Sequence, residues 1–173
     1  MEELYQKLIA CIQSYHGTAD LKKVRKAYEF ARTLHQNQKR LSGEPYIIHP
    51  LSVAIILAEM EMDDDTIIAG LLHDTVEDTD CTLEDLKREF GEAVAELVDG
   101  VTKLGRIPYS SQEEQQVENL RKMFMAMAKD IRVVLIKLAD RLHNLRTLKS
   151  MPEEKQRQKA LETMEVFAPL AHR

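Results

Sequence analysis

The sequence has few cysteines and no long hydrophobic run. Its two cysteines, Cys11 and Cys81, stand in no CxxC or other metal-binding spacing, and two cysteines are too few for a disulfide framework. Apolar runs such as Val53 to Ala58 are much shorter than the roughly 20 residues that cross a bilayer. The N-terminus, MEELYQKLIA, also lacks the basic and then apolar layout of a signal peptide. We therefore expect a cytoplasmic, soluble protein with no membrane partner.

Charge of one sign is not in large excess either. The 24 lysines and arginines face 29 aspartates and glutamates, for a formal net charge of −5. This balance is not typical of proteins that bind nucleic acid directly through a general basic surface. With 173 residues, 44% of them hydrophobic, the chain has the size and core of one domain, which we expect to cover residues 1–173.

Glycine and proline are scarce, and strand patterns are missing. Six glycines and five prolines interrupt the sequence, and no alternation of apolar and polar residues reaches strand length. Apolar residues recur instead at spacings of three and four, which predicts an all-α fold. The clearest stripe predicts a helix over 21–34 with Thr18 as its N-cap.

Local start and stop signals place further helices. Pro50 suits the first turn of a helix that continues over 51–61, and Asp63 to Asp65 suit the start of the next helix. Thr82 and Asp85 resemble a capping box for a helix over 83–90, which Gly91 would end. Further helices are predicted over 93–103, 113–129, 131–148 and 153–168. Residues 105–112, GRIPYSSQ, are predicted to be a mobile loop.

Four residues suggest a metal site. His73 and Asp74 are adjacent near the end of an apolar helix, His49 lies at the entry to another, and Asp140 interrupts the apolar run IRVVLIKLADRL. A buried carboxylate without a partner costs several kcal/mol or loses its charge, and a bound cation would remove that cost. Taken singly, each residue is better explained as an ordinary structural one, with Asp140 paired to a neighbouring cation. Together, the four favour a metal site.

Two further polar sets accompany these residues. Glu77 and Asp78 follow the His-Asp pair by one helical turn, where a carboxyl group could exchange a proton with a reactant, although such acidic pairs are often only solvated. A second set is spaced by three and four residues and is predicted to share one face of its helix. It consists of Lys137, Asp140, Arg141, Asn144 and Thr147.

Three strings of the sequence resemble successive signatures of one enzyme family. SGEPYIIHP, AGLLHDTVEDT and IKLADRLHNLRTL look like those of the HD-domain phosphohydrolases, specifically the hydrolase domain of the RelA/SpoT homologue family, and the likeness runs from about residue 27 to 173. The resemblance implies a helical HD-domain bundle with a Mn²⁺ site between helices. It also implies removal of the 3′-pyrophosphate of ppGpp or pppGpp to give GDP or GTP, the degradation of the stringent-response alarmone.

The resemblance also assigns roles to residues. It implies that the metal ligands are His49, His73, Asp74 and Asp140. Glu77 and Asp78 match the catalytic acidic pair. The implied nucleotide pocket has Arg40 stacked on the guanine, Ser42, Tyr46, Asn144 and Thr147 along its walls, and Lys137 and Arg141 balancing phosphate charge. The other histidines, His16, His35, His143 and His172, are interpreted as non-ligands.

Two features qualify this reading. Leu41 stands where many relatives carry a basic residue, so one phosphate or base contact is expected to be missing. The final residues, APLAHR, resemble the helix that leads to a synthetase domain in long bifunctional members. We therefore expect a fragment of a longer synthetase/hydrolase, with GTP pyrophosphokinase activity and regulation in missing domains, rather than a stand-alone small hydrolase.

Two other functions stay open on the sequence. One is an HD-type enzyme that hydrolyses a different nucleotide phosphate, against which the residues 40–46 and the pair Asn144 and Thr147 argue. The other is a non-catalytic sensor of guanine nucleotides, which the intact pair Glu77 and Asp78 disfavours.

Overall fold

The computed structural model describes residues 1–106 and 113–172, and those residues form an all-α structure. Within these ranges no strand is present, and the only β-type pairing is an isolated bridge between Lys39 and Pro45. No helix in the described part is both long and apolar enough to cross a membrane. The all-α prediction is confirmed. The predicted loop over 105–112 falls largely on residues 107–112, which lie outside the described residues.

The first half of the chain forms the helices that carry most of the core. They are α1 (Glu2–Tyr15), α2 (Leu21–Leu34), α3 (Ile48–Glu59), α4 (Asp64–Leu72), α5 (Thr75–Asp78) and α6 (Leu83–Phe90). Helices α3 and α4 are central: α3 packs against α1, α4 and the later helix α9 (Ile131–Arg146). Helix α4 packs against α2, α3, α9 and α7 (Glu92–Gly105). Nearly every side chain from His49 to Ala58 and from Thr66 to Leu72 is buried, as is typical of helices surrounded by others.

The second half adds the helices that close the bundle. They are α7 (Glu92–Gly105), α8 (Glu113–Lys129), α9 (Ile131–Arg146), a 3₁₀ turn (Leu148–Ser150), α10 (Glu153–Glu162), a π-helical turn (Thr163–Phe167) and α11 (Ala168–His172). Helix α9 runs across α3, α7 and α8.

Two glycines permit the close approach of neighbouring helices. A Cβ atom at Gly70 would lie 2.6 Å from Leu57 Cδ1, and one at Gly100 would lie 2.7 Å from Val133 Cγ2. Contacts this short cannot be accommodated without a shift of the neighbouring side chain. The two glycines therefore bring α4 against α3 and α7 against α9.

Local signals predicted several helix ends correctly. The Thr82 and Asp85 capping box is present, and Gly91 ends α6 with φ +96°, a conformation that glycine adopts readily. Pro50 lies in the first turn of α3, as predicted, although that helix begins at Ile48.

One N-cap prediction was wrong, and one predicted helix is not continuous. The N-cap of α2 is Asp20, whose Oδ1 accepts a hydrogen bond from the Lys23 amide at 3.0 Å, because only the residue next to the first turn can reach that amide; Thr18 lies too early. The last predicted helix, over 153–168, is interrupted by the π-helical turn, which carries Phe167 beneath the Arg141 guanidinium.

Candidate metal centre and adjoining cleft

The four predicted metal ligands meet where three helical elements converge. His49 lies in the first turn of α3, His73 and Asp74 occupy the junction between α4 and α5, and Asp140 lies in the second half of α9. The Thr75 hydroxyl donates to the Leu72 carbonyl at 2.7 Å and thereby satisfies a backbone acceptor where α4 ends. The junction thus fixes the backbone from which the side chains of His73 and Asp74 project.

Short distances connect these side chains. His49 Nε2 lies 3.2 Å from Asp140 Oδ1 and 3.5 Å from Asp74 Oδ2. His73 Nε2 lies 3.0 Å from Asp74 Oδ1 and 4.0 Å from Asp140 Oδ1. Ligand atoms of His49, His73 and Asp140, all buried, lie within 4.8 Å of one another, close enough to coordinate one ion.

The electrostatics of this cluster favour a cation. Burial opposes charge on His73, but Asp74 raises the pKa of His73 to about 9. Burial likewise opposes ionisation of Asp74, yet His73 keeps the pKa of that carboxyl below its usual value. Burial disfavours ionised Asp140 too, and His49 and Lys137 hold its pKa well below the ordinary range. The cluster therefore contains two ionised carboxylates in a buried site and attracts positive charge.

His73 supplies the test of whether a metal fits. Its Nδ1 lies 2.8 Å from the Gly70 carbonyl and must donate to it, since a carbonyl oxygen only accepts. Its Nε2 is buried, and although Asp74 Oδ1 lies 3.0 Å away, the two atoms do not meet in hydrogen-bond geometry. A ligating histidine typically donates its second nitrogen to a backbone carbonyl in this way. Two imidazoles with two carboxylates suit a hard to borderline divalent ion, so the residues fit a metal centre.

The proposed acidic pair borders the cluster on α5. Tyr46 Oη lies 2.7 Å from Asp74 Oδ2 and 2.8 Å from Asp78 Oδ2, so its single hydrogen is shared between the two carboxylates. Burial and the Asp74 carboxylate raise the pKa of this phenol, which therefore remains a donor. Tyr46 therefore connects Asp78 of the acidic pair to Asp74, a predicted metal ligand.

Glu77 extends from the same helix toward positive charge. Burial, first of all, raises the pKa of Glu77 above its ordinary value. Arg106 Nε lies 4.0 Å from Glu77 Oε1, and a Cβ atom at Gly105 would lie 3.3 Å from Lys137 Nζ and 3.6 Å from Glu77 Oε2. The end of α7 thus passes close to both side chains, and Gly105 leaves the space between them open.

The polar face of α9 surrounds Asp140 with donors. Lys137 Nζ lies 2.9 Å from Asp140 Oδ2, and Asn144 Nδ2 donates to Asp140 Oδ1 at 2.6 Å. The lysine pairing agrees with the purely structural explanation of Asp140. That explanation leaves the convergence of His49 and His73 on the same carboxylate unaccounted for.

A cleft of about 240 Å³ opens beside this face. Its walls bring together five residues that were predicted to bind the nucleotide. Lys39, Ser150 and Met151 also line the cleft, and no pattern in the sequence indicated this. The lining residues are Lys39, Arg40, Leu41, Ser42, Tyr46, Asn144, Thr147, Ser150 and Met151. The predicted site residues therefore lie together, apart from the side chain of Arg141. A larger cavity of about 470 Å³ lies between α7, α8 and the start of α9, and none of the predicted site residues lines it.

Hydrogen bonds to the opposite wall of the cleft hold the side chain of Arg40, which extends from a loop. Its Nη2 donates to Asn144 Oδ1 at 3.0 Å and to Thr147 Oγ1 at 3.1 Å. The loop is a tight turn in which the Gly43 amide donates to the Arg40 carbonyl at 2.9 Å, with Gly43 at φ +86°. Within the same turn, Ser42 donates to Glu44 at 3.0 Å. The turn and α9 together fix the arginine at the cleft.

Arg141 is placed differently from the other residues of its set. Its Nη2 lies 2.8 Å from Glu162 Oε2, and its guanidinium lies 4.3 Å from the centre of the Phe167 ring. Consecutive residues of a helix point about 100° apart, so Arg141 does not follow Asp140 toward the cluster. Its positive charge is therefore paired with Glu162 in the C-terminal segment.

His143 is a polar neighbour whose place the sequence reasoning missed. It was interpreted as a non-ligand, and its Nδ1 lies 2.7 Å from Nδ1 of His49, at the ring nitrogen of His49 that does not face the carboxylates. The signal was present in the spacing, because His143 follows Asp140 by three residues and so shares its side of α9.

Comparisons with known proteins identify the family to which the chain belongs. The HD domain family model matches residues 27–173. The chain is 53% identical over 170 residues, 98% of its length, to the bifunctional (p)ppGpp synthase/hydrolase SpoT of Escherichia coli K12. It is 54% identical over all its 173 residues to the guanosine-3′,5′-bis(diphosphate) 3′-pyrophosphohydrolase of Aquifex aeolicus. In both cases the chain spans only 24% of the relative's length.

A solved structure shows the same likeness. It is that of a metazoan orthologue of SpoT that hydrolyses ppGpp, with a TM-score of 0.67 and 29% identity, covering 83% of each chain. The match of the family model to most of the sequence, together with the helical bundle and its His-Asp cluster, shows that the chain belongs to the HD domain family.

Proposed function

We propose that this chain hydrolyses ppGpp or pppGpp, releasing pyrophosphate from the 3′ position to leave GDP or GTP. The observation that carries the proposal is the placement of the buried residues His49, His73 and Asp140, with the half-buried Asp74, directly beside a cleft. That cleft contains Arg40, Asn144 and Thr147. Relatives named for this reaction or for (p)ppGpp synthesis and hydrolysis support it. Because the chain spans about a quarter of their length, their substrate is a proposal here.

We assign the metal to Mn²⁺, held by His49, His73, Asp74 and Asp140. Mixed imidazole and carboxylate ligands suit such an ion, and the carboxylates stay ionised in the buried site. When bound, the cation supplies positive charge that polarises water and phosphate oxygens.

The acidic pair would handle the protons. A water oxygen forms a bond to the phosphorus that carries the 3′-oxygen, and the bond between that phosphorus and the 3′-oxygen breaks. Glu77 and Asp78, acting as a unit, take a proton from the water and deliver one to the departing 3′-oxygen. The raised pKa of Glu77 suits a group that must carry a proton for part of the cycle.

The cleft would recognise the nucleoside. Arg40 presents a planar cation that can stack on guanine, and its two hydrogen bonds to α9 hold it ready. Ser42, Tyr46, Asn144 and Thr147 would line the pocket. Lys137 would balance phosphate charge. Arg141 pairs instead with Glu162 and would stabilise the packing of α9 on the side away from the cleft.

The direct test is release of pyrophosphate from ppGpp by the purified chain. We expect Mn²⁺-dependent turnover, with GDP as the other product, and slower reaction with GTP and ATP, which lack a 3′-pyrophosphate. Faster turnover of another nucleotide would favour a different HD-type phosphohydrolase. Tight ppGpp binding without turnover, by folded protein with Mn²⁺ bound, would favour a guanine-nucleotide sensor.

Replacing Arg40 with alanine tests the cleft separately. Loss of the stacking cation is expected to lower kcat/KM by about 10-fold, mainly through KM, since a cation–π contact contributes about 1–2 kcal/mol and 1.4 kcal/mol corresponds to tenfold. Mn²⁺ affinity should not change. Arg25→Ala is the matched control, because Arg25 is also an arginine over an aromatic ring, that of Tyr5, outside the site. An unchanged KM in Arg40→Ala would contradict the assignment.

The wider context stays a prediction. It includes a single domain over 1–173, a cytoplasmic location, and a longer natural chain with GTP pyrophosphokinase activity, an activity named for a Streptomyces coelicolor relative that is 58% identical over 156 residues.

A further inference from the structure

The two ring nitrogens of His49 face different surroundings. Nε2 points to Asp140 and Asp74 at 3.2 and 3.5 Å, whereas Nδ1 lies 2.7 Å from Nδ1 of His143. Both rings are buried, with exposed fractions of 2% and 8%, so solvent does not replace this contact. Each nitrogen of His49 therefore depends on a protein partner.

The distance between the two Nδ1 atoms fixes how many hydrogens lie between them. At 2.7 Å, two unprotonated nitrogens would repel through their lone pairs, and two protonated ones would bring their hydrogens together. One hydrogen is shared, and the tautomers of the two rings are linked. If Nδ1 of His49 donates, Nε2 of His49 is left with a free lone pair.

We propose that His143 is a positioning residue that accepts the N–H of His49 Nδ1 and so keeps the lone pair of His49 Nε2 directed at the metal centre. The inference rests on the metal site of the proposed function. Metal-ligating histidines generally need such a partner, and its loss typically costs 10–100-fold in metal affinity. His73 has the Gly70 carbonyl in the equivalent place, and His143 does the same for His49.

A histidine in this place has a property that a carbonyl lacks. Without a cation, His49 Nε2 is within reach of Asp140 Oδ1 at 3.2 Å and can donate to it, which requires His49 Nδ1 to accept. His143 Nδ1 can then donate instead, because an imidazole nitrogen serves in either role. The pair can therefore hold both the metal-free and the metal-ready tautomer of His49 without leaving a buried Nδ1 unpaired.

The scaffold of α9 keeps His143 in register with Asp140. The two residues lie three positions apart, and the His143 carbonyl accepts from the Thr147 amide at 3.1 Å and the Thr147 hydroxyl at 3.2 Å. A rigid helix thus carries both a proposed ligand and the residue that orients a second ligand from another helix.

Two variants separate the hydrogen bond from simple packing. His143→Leu fills space but removes the acceptor, whereas His143→Asn can keep an acceptor oxygen near the position of Nδ1. By titration calorimetry we expect His143→Leu to weaken Mn²⁺ binding by about 10–100-fold and His143→Asn to remain within about threefold of the parent. The KM for ppGpp at saturating Mn²⁺ should not change. His16→Leu, at the end of α1, is the control.

A measurement on the unaltered chain covers the case in which His143→Leu does not fold. Nitrogen-15 NMR with Zn²⁺, a diamagnetic substitute, should show the hydrogen of His49 on Nδ1. A hydrogen on Nδ1 of His143 in that state, or equal Mn²⁺ affinity of the parent and both variants, or equal losses in both variants, would overturn the inference while leaving the metal site in place. Failure of the parent itself to bind a divalent ion would instead remove the site and the inference together.

Discussion

Asp140→Asn is expected to weaken Mn²⁺ binding by at least about 100-fold and to reduce ppGpp hydrolysis in proportion at subsaturating metal, because it removes a ligand charge rather than an outer-shell contact. Asp140 is the group on which His49, His73 and Lys137 all converge. The substitution keeps the shape of the side chain and leaves Lys137 without its ion-pair partner. Calorimetry measures the affinity directly.

Thermal unfolding provides an independent readout. A ligand present at 100 times its Kd stabilises the folded state by about 2.7 kcal/mol, so Mn²⁺ should raise the Tm of the parent and leave that of Asp140→Asn almost unchanged. Asp130→Asn is the matched control: it makes the same change at the N-cap of the same helix, about 15 Å away along its axis, where asparagine caps equally well. A full Mn²⁺-induced shift in Asp140→Asn would show that this carboxylate is not a ligand.

The second large effect concerns the acidic pair. Combined replacement of Glu77 by glutamine and Asp78 by asparagine is expected to lower kcat by about 10²–10⁴-fold, the range in which a positioned acid or base contributes. Mn²⁺ affinity should fall much less, since neither residue is among the four proposed ligands. Steady-state kinetics at saturating Mn²⁺ and ppGpp measure this effect.

The neighbouring sequence offers a control for that experiment. Asp80 is an exposed carboxylate two residues beyond the pair, so Asp80→Asn should retain the parent kcat. Testing Glu77→Gln and Asp78→Asn singly divides the work between the two carboxyl groups. The Asp78 variant also replaces one of the two carboxylates that accept from the Tyr46 hydroxyl with a neutral amide. Retention of the parent kcat by the double variant would exclude the pair from proton transfer.

The parts of the fold that depend on neighbouring residues were predictable. The capping box of Thr82 and Asp85 is present because its hydrogen bonds join residues three apart, and the range of α2 follows from its own apolar stripe. The π-helical turn at 163–167 was not predictable, because it accompanies a contact between Phe167 and Arg141 on another helix. Tertiary contacts outweigh local helical preference there.

The candidate site divides along the same line. Helical spacing correctly predicted that Asp140, Asn144 and Thr147 share a face, since that relation lies within one helix. The same spacing did not separate Arg141, which lies four residues from Lys137 and three from Asn144. Its side chain turns away because it contacts Glu162 and Phe167 of the C-terminal segment. The double contact of Tyr46 and the pairing of His143 with His49 join distant parts of the chain. Helical spacing places His143 on the same side of α9 as Asp140, but it does not identify His49 as the partner.

Helix α9 and its C-cap residue Thr147 carry three groups on one continuous helical segment. They are Asp140, the proposed metal ligand, and Asn144 and Thr147, which accept from Arg40. From Asp140 to Thr147 the rise is about 10.5 Å, and it cannot be adjusted by a loop. Inserting or deleting one residue between Asp140 and Asn144 would rotate Asn144 and Thr147 by about 100° relative to Asp140. The cleft residues on this helix would then no longer face the same side as the proposed metal site. Evolution can therefore substitute the residues of the cleft one at a time. Insertions and deletions between Asp140 and Asn144, in contrast, are expected to be excluded.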